Sequence, residues 1–425
     1  MKKLNYGRTI LIGLAFFSIC AFWQVFDNII PLMLKESFGL RDAATNSIMA
    51  LDNILALFLL PFFGSLSDRT NTRYGKRTPY IILGTVFAVI LMMFLPVASN
   101  KNSLIMFFIA LGLVLLAMGS YRSPAVALMP DLTPKRHRSK ANAIINLMGA
   151  LGGIYTLVCI RLLVPDKENP SYTLVFLAVA ILMVVSVTIL KLTINEKKLS
   201  KQIKAVDSDF EDEPVTGEKA APLPKEVRKS LILILSSIFL WFCAYNAVIT
   251  AYSRYAKEVW GITGGAFADS LMIATGAAVV SYIPIGFIAT RFGRKRTILA
   301  GICMMFVAFS TGFFITKVSP VIYIVFVLTG IGWAAINVNS YPMVVEMSKG
   351  SNIGKYTGYY YTFSMAAQIF TPILSGFFLE VSYRTLFPYA AVFMVLAFIT
   401  FTFVKHGDSK PVRKKDLIEN FDIED

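Results

Sequence analysis

The chain has 425 residues, of which 56% are hydrophobic and only 16% charged, with a formal net charge of +15. A water-soluble globular protein of this length carries more charge and more turn residues, so that class is excluded. The basic excess falls in short runs between long apolar blocks, a pattern that orients a chain in a membrane and does not describe a nucleic-acid surface.

The apolar blocks run near 9–34, 46–66, 79–98, 103–130, 141–164, 172–193, 230–256, 266–289, 297–316, 319–346, 354–380 and 384–404. Each suffices to cross about 30 Å of hydrocarbon at about 1.5 Å per residue. They predict an all-α membrane protein of twelve transmembrane helices. The first block follows Met-Lys-Lys, yet it is too long for a signal-peptide core and no small-residue cleavage site follows it; it reads as the first span. If both ends share one side, most Lys and Arg fall on that side, in stretches such as "RTNTRYGKR" (69–77), "KRHRSK" (135–140), "RFGRKR" (291–296) and "KPVRKK" (410–415). The opposite loops carry little beyond Lys35, Arg41, Lys101, Lys167, Lys257 and Lys317. The positive-inside rule then predicts a multi-pass plasma-membrane protein with both termini cytoplasmic.

Helix one carries Asp27 in "FWQVFDNIIP" (22–31), and helix two carries Asp52. An ionisable group at the bilayer centre costs about 2.5–3.5 kcal/mol on insertion scales, so it is expected to face a partner or a watery cavity. Both acids fall roughly 10 Å below the outer surface by helical rise, on consecutive antiparallel helices. Trp23 and Gln24 lie at midplane depth on helix one and are candidate contacts for a hydroxyl-bearing ligand.

"GSLSDRTNTRYGKRTP" (64–79) turns the chain between helices two and three. Arg69 and Arg77 suit anionic headgroups, and Asp68 can accept hydrogen bonds from backbone or arginine. Two readings stand together: an orientation anchor, and a charge latch on the cytoplasmic side joining Asp68 to a basic residue such as Arg138.

Helix four carries Tyr121 and Arg122, and ends in Pro124 and Asp131; helix five carries Asn146. Arg122 lies roughly 13 Å from the cytoplasmic end, with a side chain long enough to reach toward the acids. Cys20, Cys159, Cys243 and Cys303 all sit inside apolar blocks without CxxC spacing, which predicts packing roles and no metal. His137 and His406 fall in cytoplasmic segments. No catalytic or nucleotide-binding motif is present, so neither an enzyme nor a cofactor is expected.

The polar stretch 195–229 mixes both signs with Pro and Gly and reads as a flexible cytoplasmic linker. It divides a bundle over 1–194 from a second over 230–405, followed by a cytoplasmic tail over 406–425. The halves echo each other: "KESFGL" (35–40) returns as "KEVWGI" (257–262) at an offset of 222, which also carries Gly64 to Gly286 and Arg69 to Arg291. After small shortenings, "YGKR" (74–77) matches "FGRK" (292–295), Pro124 matches Pro342 and Asp131 matches Glu346. Arg291 and Glu346 thereby join Asp68, Arg69, Arg77, Asp131 and Arg138 as candidate cytoplasmic gate residues.

The repeat also acts as a control. The second half places Ile249 at the position of Asp27, Ala274 at Asp52 and Ser340 at Arg122. A charge needed only for the fold would be expected in both halves, so Asp27, Asp52 and Arg122 are candidates for cation coupling. Trp23/Gln24 and Tyr245/Asn246 are repeat twins, an aromatic–amide pair in each first helix. With Tyr121, Asn146, Asn337, Asn339 and Gln368 they form the candidate ligand set. Each is equally readable as interhelical glue. The tyrosines at 359–361 lie near the cytoplasmic end, as an interfacial belt or inner gate.

The loop signature and the parallel six-plus-six repeat resemble the major facilitator superfamily. "SDRT" followed by "RYGKRTPYIILG", and "RSPAVALMPDLTPKRHRSKANAIINLMGALGG" (122–153), are similar to the glycoside–pentoside–hexuronide:cation symporters and sucrose transporters. The resemblance implies two pseudo-symmetric bundles and cation-coupled sugar transport by alternating access. The chain departs from the melibiose type, which has paired acids before the helix-two proline; here Ala56 and Leu60 precede Pro61. It also has Arg122 in place of that type's helix-four acid, and Val126 in place of the arginine of plant sucrose carriers. These departures favour H⁺ over Na⁺.

Three readings follow: a monomeric symporter of a sugar or glycoside; the same fold carrying a lysolipid or drug; and a non-transporting membrane sensor. The intramembrane charges favour coupling over a scaffold, and the neutral amides favour sugar over a cationic drug.

Overall fold

The computed structural model describes residues 4–134, 137–167, 170–208, 224–347 and 353–408. Among these, twelve helices are long and apolar enough to span a membrane. They are α1 (Tyr6–Glu36), α2 (Asp42–Arg69), α3 (Thr78–Asn100), α4 (Leu104–Asp131), α5 (Lys140–Leu163) and α6 (Thr173–Thr193). The second half adds α7 (Lys225–Trp260), α8 (Ala268–Phe292), α9 (Arg294–Phe314), α10 (Val321–Glu346), α11 (Lys355–Val381) and α12 (Tyr383–Thr402). The only extended pairing among the described residues is an isolated bridge between Thr72 and Gly75.

The repeat seen in the sequence is reproduced in backbone hydrogen bonds. At the end of α1, Gly39 adopts φ +64°, its N–H reaches Lys35 O at 3.0 Å, and Leu40 N reaches Leu34 O at 3.2 Å. At the end of α7, Gly261 has the same φ, with Gly261 N to Lys257 O at 3.1 Å and Ile262 N to Ala256 O at 3.0 Å. Both are helix stops in which a left-handed residue redirects the chain and satisfies the last carbonyls, a conformation glycine adopts without steric cost.

The chain forms two compact units. In the first, α1 packs on α5 and α6, and α4 packs on α3 and on the 51–69 part of α2. Gly152 of α5 sits directly against the Phe17 carbonyl, where a Cβ would collide, so the α1–α5 contact depends on a missing side chain. In the second, α7 packs on α11 and α12, and α9 on α10 and α12. Large apolar side chains such as Phe58, Phe62, Ile105, Leu162, Val280 and Phe314 are exposed, as a lipid-facing surface requires.

The unit boundaries differ from a simple division at the linker. Residues 41–50 belong to the second unit and 263–268 to the first. These segments are repeat twins at the offset of 222, and α2 breaks at Ala50, between its helical parts Asp42–Met49 and Leu51–Arg69.

The polar linker also departs from expectation, because it opens as a helix, Glu196–Ser208, with Leu199 and Ile203 buried at helical spacing. Residues 209–223 and the tail from 409, including "KPVRKK", lie outside the described residues.

Candidate functional site

In the first unit the three intramembrane charges come together. Asp27 interacts electrostatically with Asp52 and Arg122, and Asp52 also with Arg122. Asn53 fixes one acid, its Nδ2 donating to Asp52 Oδ1 at 2.7 Å. The Arg122 guanidinium carbon lies 5.6 Å from the Trp23 ring centre, a cation–π distance. Trp23, Asp27, Asp52, Asn53 and Arg122 are all half-buried. Two neighbouring polar atoms, Trp23 Nε1 and Asn28 Oδ1, are buried without a hydrogen-bond partner among the described residues. Two carboxylates and one guanidinium leave one uncompensated negative charge when all are ionised, so one bound proton or monovalent cation neutralises the group.

Of the remaining first-unit candidates, Gln24 and Asn146 are half-buried on α1 and α5. Tyr121 is different. It is fully buried, and its hydroxyl donates to Ala15 O at 2.9 Å and meets Ser18 Oγ. It ties α4 to α1, so a ligand contact at Tyr121 is not available in this structure.

In the second unit, Tyr245 stacks face to face with Trp333 at 3.6 Å between ring centres and an interplanar angle of 1°. Phe242 meets the same indole edge-on at 5.3 Å. Beside them Asn246 keeps its Nδ2 buried and unpartnered among the described residues. Trp333 escaped the sequence reading because an aromatic in the apolar run "TGIGWAAINVNSYP" carries no signal of its own. Gln368 is half-buried, whereas Asn337 and Asn339 are buried, and Asn339 Nδ2 donates to Ala335 O of its own helix at 2.9 Å. That geometry makes Asn339 part of helix packing.

At the signature loop, Arg77 is the hub. Its Nη2 donates to Asp68 Oδ1 at 2.5 Å, its Nε to Asp131 Oδ2 at 2.9 Å, and its Nη1 to Ser67 Oγ. Asp68 therefore pairs with Arg77, nine residues on, and not with Arg138, whose Nη2 donates to Pro130 O at 3.0 Å. The reason is geometric: Arg77 stands at the start of α3, and its planar fork spans both acids. Arg69 is exposed. In the second unit Glu346 pairs with Arg294, while Arg291 is exposed and lies 5.4 Å from the Phe292 ring centre.

A further acid was not legible in the sequence. Glu196, the first residue of the linker helix, is buried and accepts from Lys76 N at 2.6 Å, Arg77 N at 2.9 Å, Thr78 N at 2.8 Å and Thr78 Oγ1 at 2.7 Å. It supplies the orphan amides at the start of α3 with a negative charge. The second unit repeats the device with Asp408, which accepts from Lys295 N at 2.9 Å at the start of α9.

The comparisons with known proteins agree with this architecture. A sucrose transport protein of Arabidopsis thaliana is 27% identical over 138 residues, covering 28% of this chain and 23% of that protein. An isoprimeverose transporter of Lactiplantibacillus pentosus is 22% identical over 279 residues, covering 64% of this chain and 57% of that protein. The matches thus span less than two thirds of either relative. A crystal structure of a POT peptide transporter superposes with a TM-score of 0.70 at 13% identity, covering 93% of both chains, which speaks to the fold alone. The family model of the Major Facilitator Superfamily matches residues 12–282 and 257–421, and with twelve spanning helices in a six-plus-six repeat, the chain belongs to that superfamily of membrane transporters.

Proposed function

We propose that the protein is a secondary active transporter that moves a sugar or glycoside together with a cation, H⁺ in preference to Na⁺, by alternating access. The observation that carries this reading is the group formed by Asp27, Asp52 and Arg122, three ionisable side chains whose twin positions hold Ile249, Ala274 and Ser340. In the unloaded carrier Arg122 balances one acid. A proton from outside neutralises the other, which removes the charge penalty for rearranging the group within the membrane. Arg122 is then free to meet a sugar hydroxyl, beside Trp23 and Gln24.

In the second unit, Trp333 backed by Tyr245 offers an aromatic surface for the C–H face of a sugar, and Asn246 offers an unsatisfied amide donor. The names of the two relatives support a sugar cargo. On the cytoplasmic side, Arg77 clasps Asp68 and Asp131 as a gate in its engaged form. In this reading the protein acts as a monomer in the plasma membrane, and the excess of Lys and Arg in alternate loops supports both termini inside.

Purified protein in liposomes tests this directly. A panel that includes sucrose and isoprimeverose is offered under an imposed pH gradient and, separately, an imposed Na⁺ gradient. Accumulation of a sugar under the pH gradient is expected. No uptake of any sugar under either gradient would overturn the reading in favour of another cargo.

A further inference from the structure

The signature loop carries a ring that the ion network around Arg77 does not use. Tyr74 is 43% exposed, yet two cations stand at it. Lys191 Nζ, at the end of α6, lies 3.6 Å from the ring centre, and Arg73 Cζ lies 4.6 Å from it. A third cation, Lys197 of the linker helix, donates from its Nζ to Thr72 O at 3.4 Å. All of these residues belong to the first unit. Among the described residues, no carboxylate forms an ion pair with Arg73, Lys191 or Lys197. Glu196, beside Lys197 in the chain, gives its oxygens to the amides of Lys76, Arg77 and Thr78 instead. Like charges gathered in one place repel, and an aromatic face offsets that only in part. An anion completes the arrangement.

An apolar crevice opens from the same spot. Its walls are Ile82 of α3, Leu128 of α4, and Val187, Leu190 and Ile194 at the end of α6. Lys191 lines it as well, so one side chain joins the cations to the apolar walls. A soluble anion would use the cations alone, and an uncharged lipid the walls alone. A phosphate attached to a hydrocarbon chain uses both.

The second half of the chain shows that orientation in a membrane does not call for this cluster. Arg73 and Tyr74 correspond to Arg291 and Phe292, and Arg291 Cζ lies 5.4 Å from the Phe292 ring centre. The spacing that carries Glu196 to Asp408 carries Lys191 to Phe403 and Lys197 to Ser409. The second half thus keeps the arginine and its aromatic neighbour but has neither lysine. A bias that merely gathers cations on one side would be met equally by either half.

We propose that Arg73, Lys191 and Lys197, grouped about Tyr74, hold the phosphate of an anionic phospholipid whose acyl chain enters the crevice between α3 and α6. The seat joins α3, α6 and the linker helix, so a bound lipid fastens that helix at a second point besides Glu196. The site is independent of the cargo.

Native mass spectrometry of the full chain, purified in detergent and titrated with dioleoylphosphatidylglycerol, tests this. The unsubstituted chain is expected to retain one such lipid at least about tenfold more tightly than phosphatidylcholine of the same chains. Lys191→Gln with Lys197→Gln is expected to lose that preference. Lys198→Gln with Lys201→Gln removes the same charge from exposed positions of the linker helix and is expected to keep it. An unchanged preference in the first pair, or an equal loss in both pairs, overturns the site; so does equal retention of the two lipids by the unsubstituted chain. Excess inorganic phosphate is expected to leave the lipid bound, and its displacement would make this a soluble-anion site instead. Should the first pair not fold, Tyr74→Leu, which removes the ring but no charge, is read in its place. It is expected to weaken phosphatidylglycerol binding severalfold, and unchanged binding overturns the site.

Discussion

Asp131, at the end of α4, receives Arg77 Nε at 2.9 Å, although the two residues are 54 positions apart. The same guanidinium holds Asp68 at 2.5 Å, so one arginine fastens the ends of two helices to the start of a third. Arg77→Lys keeps the charge but loses the fork. Because Asp68 is largely exposed and its share is screened, the loss is expected to be about 1.5–3 kcal/mol, dominated by the Asp131 contact. Thermal unfolding of the purified protein measures it, and Arg138→Lys should cost less.

Glu196 carries four hydrogen bonds to the start of α3 from a stretch expected to be a loose linker. Glu196→Ala orphans three amides and removes a charge from a helix N-terminus. An effect of about 1–2 kcal/mol is expected. Limited proteolysis after Lys197 or Lys201 should accelerate in parallel, because the linker helix loses its anchor.

Tyr172, just before α6, donates to Glu36 Oε2 at 2.8 Å. Burial, reinforced by the neighbouring Glu36 carboxylate, pushes its hydroxyl well above the ordinary tyrosine value. The sign follows from linkage. Below about pH 10 both folded and unfolded chains keep the proton and the contact contributes in full. Above that pH the unfolded chain releases its proton while the folded one retains it, so stability falls as pH rises. Tyr172→Phe is expected to lose about 1 kcal/mol at neutral pH and to flatten the alkaline decline, read from unfolding midpoints across pH 8–11.

Much of this was legible in the sequence, and the rest was hidden for identifiable reasons. The paired stops at Gly39 and Gly261 were visible because a helix end is encoded locally, in "KESFGL" and "KEVWGI". Asp27, Asp52 and Arg122 stood out because charges are rare at membrane depth, and the structure brings them within electrostatic reach of each other. Arg254 was missed because it lies near the end of its apolar block, where basic residues are ordinary. Asp42 was missed because it reads as loop. They meet within the second unit although they stand 212 positions apart in the chain, a separation that no local pattern bridges. The partners of Tyr121 and Asn339 were hidden for the opposite reason: depth in the membrane is readable from sequence, but the direction of a side chain around its helix is not. The pairing of Asp68 with Arg77 turned on the geometry of one loop.

Trp333 should govern cargo affinity without touching the driving ion. Trp333→Ala is expected to raise the KM for sugar by about tenfold, the equivalent of about 1.4 kcal/mol, with the coupling ion unchanged. Trp333→Phe should recover part of it. Initial uptake rates against sugar concentration separate KM from maximal rate.

The central claim is that Asp27 binds the driving cation. In liposomes, Asp27→Asn is compared with the unsubstituted protein for uphill accumulation under a pH gradient and for counterflow exchange without one. The account predicts that accumulation is abolished while counterflow persists. An Asp27→Asn protein that still concentrates sugar against its gradient would contradict it.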